Sequence, residues 1–399
     1  MKARRVKLLL YSDSFAPSVG GIERITLELA TGIANRRSAT AGSEEFNLTV
    51  VTQTPSPDDR SFPFEVIRRP SLKRLSSLIR NADLVHLAGP AMLPLLLALL
   101  HRRRVVIEHH GFQAVCPNGQ LFFSPEQKFC EGHYMAGRYA ECLKCNKSDS
   151  GFIGSVKQLM LTPVRRWLSK RASVNIVPTH WLSGILGVPR MHTVYHGISV
   201  IPERGSDVTG ARAFAYQGRL VSTKGASLIL EAAQVLRDRG VRFSLKIIGD
   251  GPERQTLEKM AQPLGDCVNF LGNISDEDLS VALSEVSTVI APSVAGEVFG
   301  LVVAENMLRG KLLILSDIGP FKELIGEVGV LVPAGDASSL ANAMQAVLEA
   351  PSVFVGRRLG AQARAESLFA TSCMVDSHAA IYLKLTQGGT LSEGTNLRS

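Results

Sequence analysis

The sequence has no apolar run long enough to cross a bilayer. Its greasiest stretch, Leu87 to Leu100, is shorter than a span and contains Pro90 and Pro94. The basic start Met1 to Lys7 leads into an apolar run, Val6 to Tyr11, that Ser12 and Asp13 end too soon for a secretory signal, so a cytoplasmic protein is expected. No RNP strand, zinc finger or helix-turn-helix pattern occurs, and nucleic acid is not an expected partner. Neither first-strand turn carries Gly-x-Gly-x-x-Gly with an acid about twenty positions on, which argues against a nicotinamide oxidoreductase. No Asp-x-Asp accompanies the glycine loop or the basic loop described below, so nothing there is built to bridge a divalent ion to a diphosphate.

What is present suits a soluble two-domain enzyme. A chain of 399 residues with 45% hydrophobic content can bury two cores. A net charge of +8 and a pI near 9.3 favour an anionic partner, either a nucleoside diphosphate or a phospholipid surface. Short apolar segments alternate with helical patterns, which predicts parallel sheets covered on both faces, with ligands beyond the strands' carboxyl ends. Strands are expected at Val6 to Tyr11, Asn47 to Thr52, Asp83 to Leu87, Arg104 to Glu108 and Val174 to Pro178. A second set begins at Ala213 to Gln217 and ends at Val330 to Val332. The polar, glycine- and proline-containing stretch 201–212 is the expected linker between a first domain, 1–200, and a second, 213–370. A helix follows within 371–387, and the polar tail 388–399 is expected to be disordered.

Four stretches carry chemistry. The first strand runs into Gly20-Gly21 and then a helix with Ile22, Ile25, Leu29 and Ile33 on one face. That arrangement lets bare backbone amides approach a phosphate, although a tight turn is the commoner use of two glycines. Arg104 to Glu108 ends in His109-His110-Gly111. Adjacent side chains of an extended chain point opposite ways, so only one imidazole can face a site: His110 is favoured and His109 is the alternate. Gly218-Arg219-Leu-Val-Ser-Thr-Lys224-Gly225 sets two cations after a strand, where they can neutralise a diphosphate or simply be solvated. In Ser293 to Glu305, Glu297 falls on a loop and Glu305 about one turn inside a helix, with Phe299-Gly300 between them. Carboxylates suit a polyhydroxylated ligand because each accepts from neighbouring hydroxyls; the plainer alternative is two glutamates favoured by a helix dipole.

An insertion at 113–150, loop-rich by composition, holds Cys116, Cys130, Cys142 and Cys145. Four thiolates can close a structural zinc site; reduced thiols packed as small hydrophobes, or a redox or iron–sulfur role, remain open. Val156 to Arg171 follows, helical in pattern, with apolar and basic residues that fit either an anionic membrane or a solvated basic face.

Taken together, the Glu297/Glu305 spacing, the Arg219/Lys224 loop, the Gly20-Gly21 loop and His110-Gly111 resemble the family-4 retaining glycosyltransferases (glycosyl transferases group 1) over most of the chain. The resemblance implies the α/β GT-B fold, two Rossmann-like doubly wound domains facing across a deep cleft, with the last helix returning to the first domain. It implies metal-independent transfer of a sugar, with retention, from a UDP- or GDP-linked donor to a hydroxyl of a glycan or lipid-linked acceptor. Glu297 and Phe299-Gly300 would meet the donor sugar, Glu305 the ribose, Arg219 and Lys224 the diphosphate beside the Gly20 and Gly21 amides, and His110 the space between donor sugar and acceptor. No cofactor is implied for catalysis, and contact with the cytoplasmic membrane face fits such an acceptor. A rival of another class is a nucleotide-sugar-binding protein without turnover, since a fold does not prove an activity.

Overall fold

The computed structural model describes residues 5–18, 20–37, 45–56, 61–200 and 212–389. By their contacts these form two compact units: residues 1–120, 131–197 and 369–399 make the first, residues 121–130 and 198–368 the second. The linker expected at 201–212 lies, except for Arg212, outside the described residues, as does the tail beyond 389.

The first unit opens with β1 (Val6–Ser12), α1 (Gly21–Asn35), β2 (Phe46–Thr52), β3 (Glu65–Arg68), α2 (Leu72–Asn81), β4 (Leu84–Ala88), α3 (Met92–Leu100) and β5 (Arg104–Glu108). A short antiparallel hairpin, β6 (Phe122–Phe123) and β7 (Lys128–Phe129), belongs to the second unit. The first unit resumes with α4 (Tyr139–Ser169), β8 (Val174–Val177), α5 (His180–Leu186) and β9 (Met191–Thr193). Its strands form one parallel sheet in the order β3-β2-β1-β4-β5-β8-β9. Leu8, Leu9, Leu10 and Tyr11 of β1 are all buried, as a strand covered on both faces requires. β3 and β9 carry too few consecutive apolar residues to stand out in the sequence; they are the two edges.

Two local expectations change. Ile22 is 42% exposed, because it sits in the first turn of α1, ahead of the buried row Ile25, Leu29 and Ile33. The second half of the cysteine insertion is helix rather than loop: α4 starts at Tyr139 and is interrupted at Gly151, whose φ of 65° is open to a residue without a Cβ.

The second unit continues with β10 (Ala213–Gln217), α6 (Ala226–Asp238), β11 (Ser244–Ile248), α7 (Arg254–Ala261), β12 (Val268–Gly272), α8 (Asp276–Ser284) and β13 (Thr288–Ala291). It is completed by α9 (Leu301–Leu308), β14 (Leu312–Ser316), α10 (Gly319–Ile325), β15 (Val330–Val332), α11 (Ala337–Glu349) and α12 (Val355–Leu368). The sheet is again parallel, in the order β12-β11-β10-β13-β14-β15. Phe214, Ile229, Leu245, Ile290, Ile314 and Met344 meet in its core.

The last helix, α13 (Thr371–Thr386), is part of the first unit and packs on α1. The approach is close: a Cβ on Gly32 would lie 2.3 Å from Val375 Cγ2, and Tyr382 meets Phe46 edge-on. Among the described residues no helix is long and apolar enough to cross a membrane.

Candidate active site

In the second unit the polar groups stand at the carboxyl edge of the sheet, and backbone contacts fix their spacing. The loop after β10 is clamped against the loop after β11: a Cβ on Gly249 would fall 2.0 Å from the Gly218 carbonyl, and one on Gly251 would fall 2.4 Å from that of Leu220. Tyr216 donates its hydroxyl to the Arg219 carbonyl at 2.8 Å. Burial, with Glu297 adding to it, raises the Tyr216 phenol, so the hydroxyl keeps its proton and the loop keeps its anchor. Among the described residues no side chain holds the exposed Arg219 guanidinium.

The loop after β13 is joined to the Lys224 turn. Val294 N–H donates to the Thr223 carbonyl at 2.9 Å, and Gly225, at φ 68°, has no Cβ to strike the Pro292 carbonyl. This brings Lys224 Nζ to 2.5 Å from Glu297 Oε1, which also accepts from Ser293 Oγ at 2.8 Å. Among the described residues Glu297 Oε2 has no partner, which leaves that oxygen to accept from a ligand hydroxyl. Gly300, at φ 109°, turns the chain into α9 beside Phe321; Phe299 is buried. Glu305 lies inside α9, 6% exposed, and its Oε2 accepts from Gln217 Nε2 at 3.0 Å. Asn306 in turn donates to Gln217 Oε1 at 2.9 Å. Arg219, Lys224, Glu297 and Glu305 therefore belong to neighbouring loops of one sheet edge. Ser293, Thr223 and Gln217, which hold the charged residues in place, are neutral, and nothing in the sequence signals that role.

In the first unit, His110 lines a pocket of about 290 Å³ with Asp13, Glu23, Gly89, Gln113 and Arg165. His109 points the other way, fully buried, with Nε2 2.9 Å from Asn175 Oδ1. Tyr11 donates its hydroxyl to Asp13 Oδ1 at 2.8 Å, and its own pKa is raised to about 12, chiefly by burial. Gly20 precedes α1 in extended conformation, and the Glu23 carboxylate reaches back to it: a Cβ on Gly20 would lie 2.3 Å from Glu23 Oε2. A carboxylate thus rests at the positive end of α1, where the sequence placed a phosphate.

Behind His110 lies a buried hub. Glu108, 2% exposed, has His86 Nε2 at 3.2 Å and His378 Nε2 at 3.5 Å from Oε2, and His196 Nδ1 at 3.7 Å from Oε1. Burial pushes the Glu108 carboxyl up, but the facing His110 and His378 outweigh it, so the group is held well below its usual range. Burial lowers the His110 imidazole against the pull of Glu108, and lowers His109 to about 4 and His196 to about 3. The hub extends through α13: His86 Nδ1 is 2.7 Å from the Tyr382 hydroxyl, and His378 Nδ1 donates to the Met374 carbonyl at 2.8 Å. Apart from Glu108, two positions ahead, none of these partners is near His110 in sequence, which is why the sequence does not show the hub.

The four cysteines are buried and free of disulfides. Cys116 Sγ donates to Asn118 Oδ1 at 2.9 Å, and Asn118 Nδ2 donates to Cys145 Sγ at 3.3 Å. Among the described residues the groups of three or more ligand atoms close enough to share an ion are His86, Glu108 and His378, and Glu108, His110 and His196; neither includes a cysteine. The chain does contain one Asp-x-Asp, Asp276-Glu277-Asp278, and it serves a helix start. Ser275 caps α8, accepting from the Asp278 N–H at 3.1 Å and donating to its carboxylate at 3.0 Å, and both aspartates are exposed.

Comparison with known proteins gives a family and a fold. Residues 19–200 match the model of Glycosyltransferase Family 4, and residues 202–365 that of Glycosyl transferases group 1. A phosphatidyl-myo-inositol mannosyltransferase of Mycobacterium leprae is 31% identical over 202 residues, 49% of this chain and 54% of that protein. An alpha-D-kanosaminyltransferase of Streptomyces kanamyceticus is 31% identical over 174 residues, 43% of this chain and 45% of that one. The chain spans about half the length of the curated relatives it matches. Among solved structures, Anabaena HepE in complex with UDP-glucose superposes with a TM-score of 0.70 at 19% identity, covering 96% of this chain and all of that one. The sucrose-phosphate synthase of Thermosynechococcus elongatus gives 0.69 at 20% identity, with the same coverage. These likenesses show the GT-B fold.

Proposed function

Since the chain belongs to the family-4, group 1 glycosyltransferases, we propose that it transfers a sugar from a nucleoside diphosphate donor to a hydroxyl of a glycan or lipid-linked acceptor, with retention and without a metal at the diphosphate. The observation that carries this is the Lys224–Glu297 contact at 2.5 Å, with Glu305 on the adjoining helix, all at the carboxyl edge of one parallel sheet. The donor is bound by this edge. Arg219 and Lys224 meet the diphosphate, and their fixed positive charge lowers the barrier as negative charge builds on the leaving group. Glu297 accepts from the sugar hydroxyls through Oε2. With Oε1 engaged by Lys224 and Ser293, it orients the sugar and is not a covalent nucleophile. Glu305, kept in place by Gln217, accepts from the ribose hydroxyls.

His110, in its neutral form and close to the buried Glu108, is the residue assigned to the reacting sugar. The acceptor occupies the pocket lined by His110, Asp13 and Glu23 and attacks from the face the leaving group departs. The relatives named for phosphatidyl-myo-inositol and for UDP-glucose supply the models for acceptor and donor class. A structural zinc on the cysteine insertion is a separate proposal that rests on residue type alone. Metal analysis of protein purified without added metal tests it, and sub-stoichiometric zinc and iron would leave the thiols as packing groups.

The test of the activity is turnover of labelled nucleotide sugars, guided by a thermal-shift panel, since a ligand bound to the native state raises apparent stability. Donor binding without turnover on any hydroxylated acceptor would overturn the enzyme reading.

A further inference from the structure

The part of α4 beyond Gly151 is amphipathic the wrong way round. Ser155, Thr162 and Ser169, seven residues apart, are fully buried. Each satisfies its hydroxyl on the carbonyl four residues back, Gly151, Gln158 and Arg165, at 2.6, 2.9 and 2.9 Å. The opposite stripe, Ile153, Val156, Met160, Val164 and Trp167, is between 37% and 84% exposed. Its spacing of three and four places it on one face. α3 packs against α4 and repeats the pattern with Leu93, Leu96 and Leu100 turned outward. Covering a side chain of this kind is worth roughly 1.5–3 kcal/mol, so a continuous row of them facing outward marks a surface that meets an apolar phase.

Charge identifies that phase. From Gly151 to Arg171 the sequence has five basic residues and no acid, and from Gly89 to Ile107 it has Arg102, Arg103 and Arg104 and again no acid. Arg171 lies 4.4 Å above the Trp167 ring, so a cation and an amphipathic aromatic share the rim of the stripe. An apolar ridge whose own two segments carry cations and no acid is complementary to an anionic bilayer, which offers acyl chains below and phosphates around.

The same helix reaches inward. Arg165, on the flank away from the stripe, lines the His110 pocket. Its Nη2 donates to the neutral Gln158 Oε1 at 3.0 Å, and burial lowers its pKa with no carboxylate offsetting the cost. The pocket therefore has carboxylates from Asp13 and Glu23, suited to hydroxyls, and a half-buried guanidinium suited to a phosphodiester.

We propose that the α3–α4 face seats the protein on an anionic bilayer, and that Arg165 receives the phosphodiester of a membrane lipid whose hydroxylated headgroup enters the pocket. The seating stands without the glycosyl-transfer reading; the assignment of that lipid as acceptor rests on it.

Two measurements on the full chain test the two halves. Wild-type protein should sediment with phosphatidylglycerol vesicles and not with phosphatidylcholine vesicles, and the double variant Met160→Asp, Trp167→Asp should lose at least tenfold in vesicle affinity at an unchanged melting temperature. Equal sedimentation of variant and wild type, or indifference to lipid charge, overturns the seating. Arg165→Leu should still sediment and still be stabilised by nucleoside diphosphate, but bind soluble glycerophosphoglycerol at least tenfold more weakly than wild type, with partial rescue in Arg165→Lys. Undiminished binding overturns the subsite. Wild-type affinity should be higher for phosphatidylglycerol in vesicles than for the soluble headgroup; equal affinity would make the ligand a soluble phosphodiester and overturn the bilayer as its source. Absence of sugar transfer with every donor would defeat the glycosyltransferase reading while leaving the sedimentation and titration results intact.

Discussion

The two units gather polar groups at the carboxyl edge of a parallel sheet by opposite means. In the second unit the charged residues come from two short segments, 217–225 and 293–306, and the loops that carry them are tied together by backbone hydrogen bonds and glycine contacts. In the first unit His86, Glu108, His110, His196 and His378 come from segments spread across nearly the whole chain, and Glu108 and its neighbours are buried. The second arrangement can change a ligand's charge environment while costing the fold little. The first cannot be altered without disturbing the fold, because an ionised carboxylate with few solvent contacts depends on every partner it has.

That contrast can be broken or sharpened by experiment. Glu108→Ala should destabilise the protein by about 3–5 kcal/mol, read from denaturant or thermal unfolding, because it strips the hub of its charge and leaves several ring nitrogens facing a void. A loss below about 1 kcal/mol would mean that the hub is wetter than its burial implies. Lys224→Ala should leave stability nearly unchanged and raise the activation barrier by about 2.7 kcal/mol or more, a hundredfold or greater loss of turnover. An unchanged rate in the folded variant would remove Lys224 from the mechanism. Glu305→Gln, which puts an amide where hydroxyls need an acceptor, should weaken free nucleoside diphosphate by about 1.5 kcal/mol, measured by calorimetry; equal affinity would refute the ribose assignment.

A last test concerns acid. His109 and His196 resist protonation in the folded protein, with pKa values of about 4 and about 3 against an ordinary value near 6.5. A lowered histidine leaves the unfolded chain holding protons that the native state refuses. Stability should therefore be full above pH ~6.5 and fall as the pH drops, by about 1.4 kcal/mol per pH unit for each such ring, until the folded pKa is reached. A melting temperature that stays flat from pH ~6.5 to pH ~4.5 would show that these rings are charged in the native state.

The contrast also explains what the sequence made legible. Arg219, Lys224, Glu297 and Glu305 are each readable because strand, loop and residue type are contiguous, and the sheet brings both loops to one edge. His110 is readable for the same reason, directly after β5. Glu108 reads in the sequence only as the last residue of an apolar strand, since its partners lie on β4, near the end of the first segment and on α13. Arg165 looked like one cation among several on a basic helix; only the fold separates its inward flank from the outward stripe. The glycine loop shows the limit of local reading: Gly20 and Gly21 do begin a helix, but Glu23 curls onto its end. Edge strands β3 and β9 do not stand out in the sequence because partial exposure relaxes the apolar continuity that identifies interior strands.

The placement of α13 has a consequence for how the molecule is made. His378 and Tyr382, among the last residues of the described chain, belong to the interior of the unit translated first. While the ribosome is still producing the second unit, the nascent first unit lacks that helix and presents a greasy, histidine-lined furrow along α1 and β4. A stop codon or proteolytic cut near residue 370 would therefore deprive the amino-terminal half of its own wall, and that half should depend on chaperones until synthesis ends.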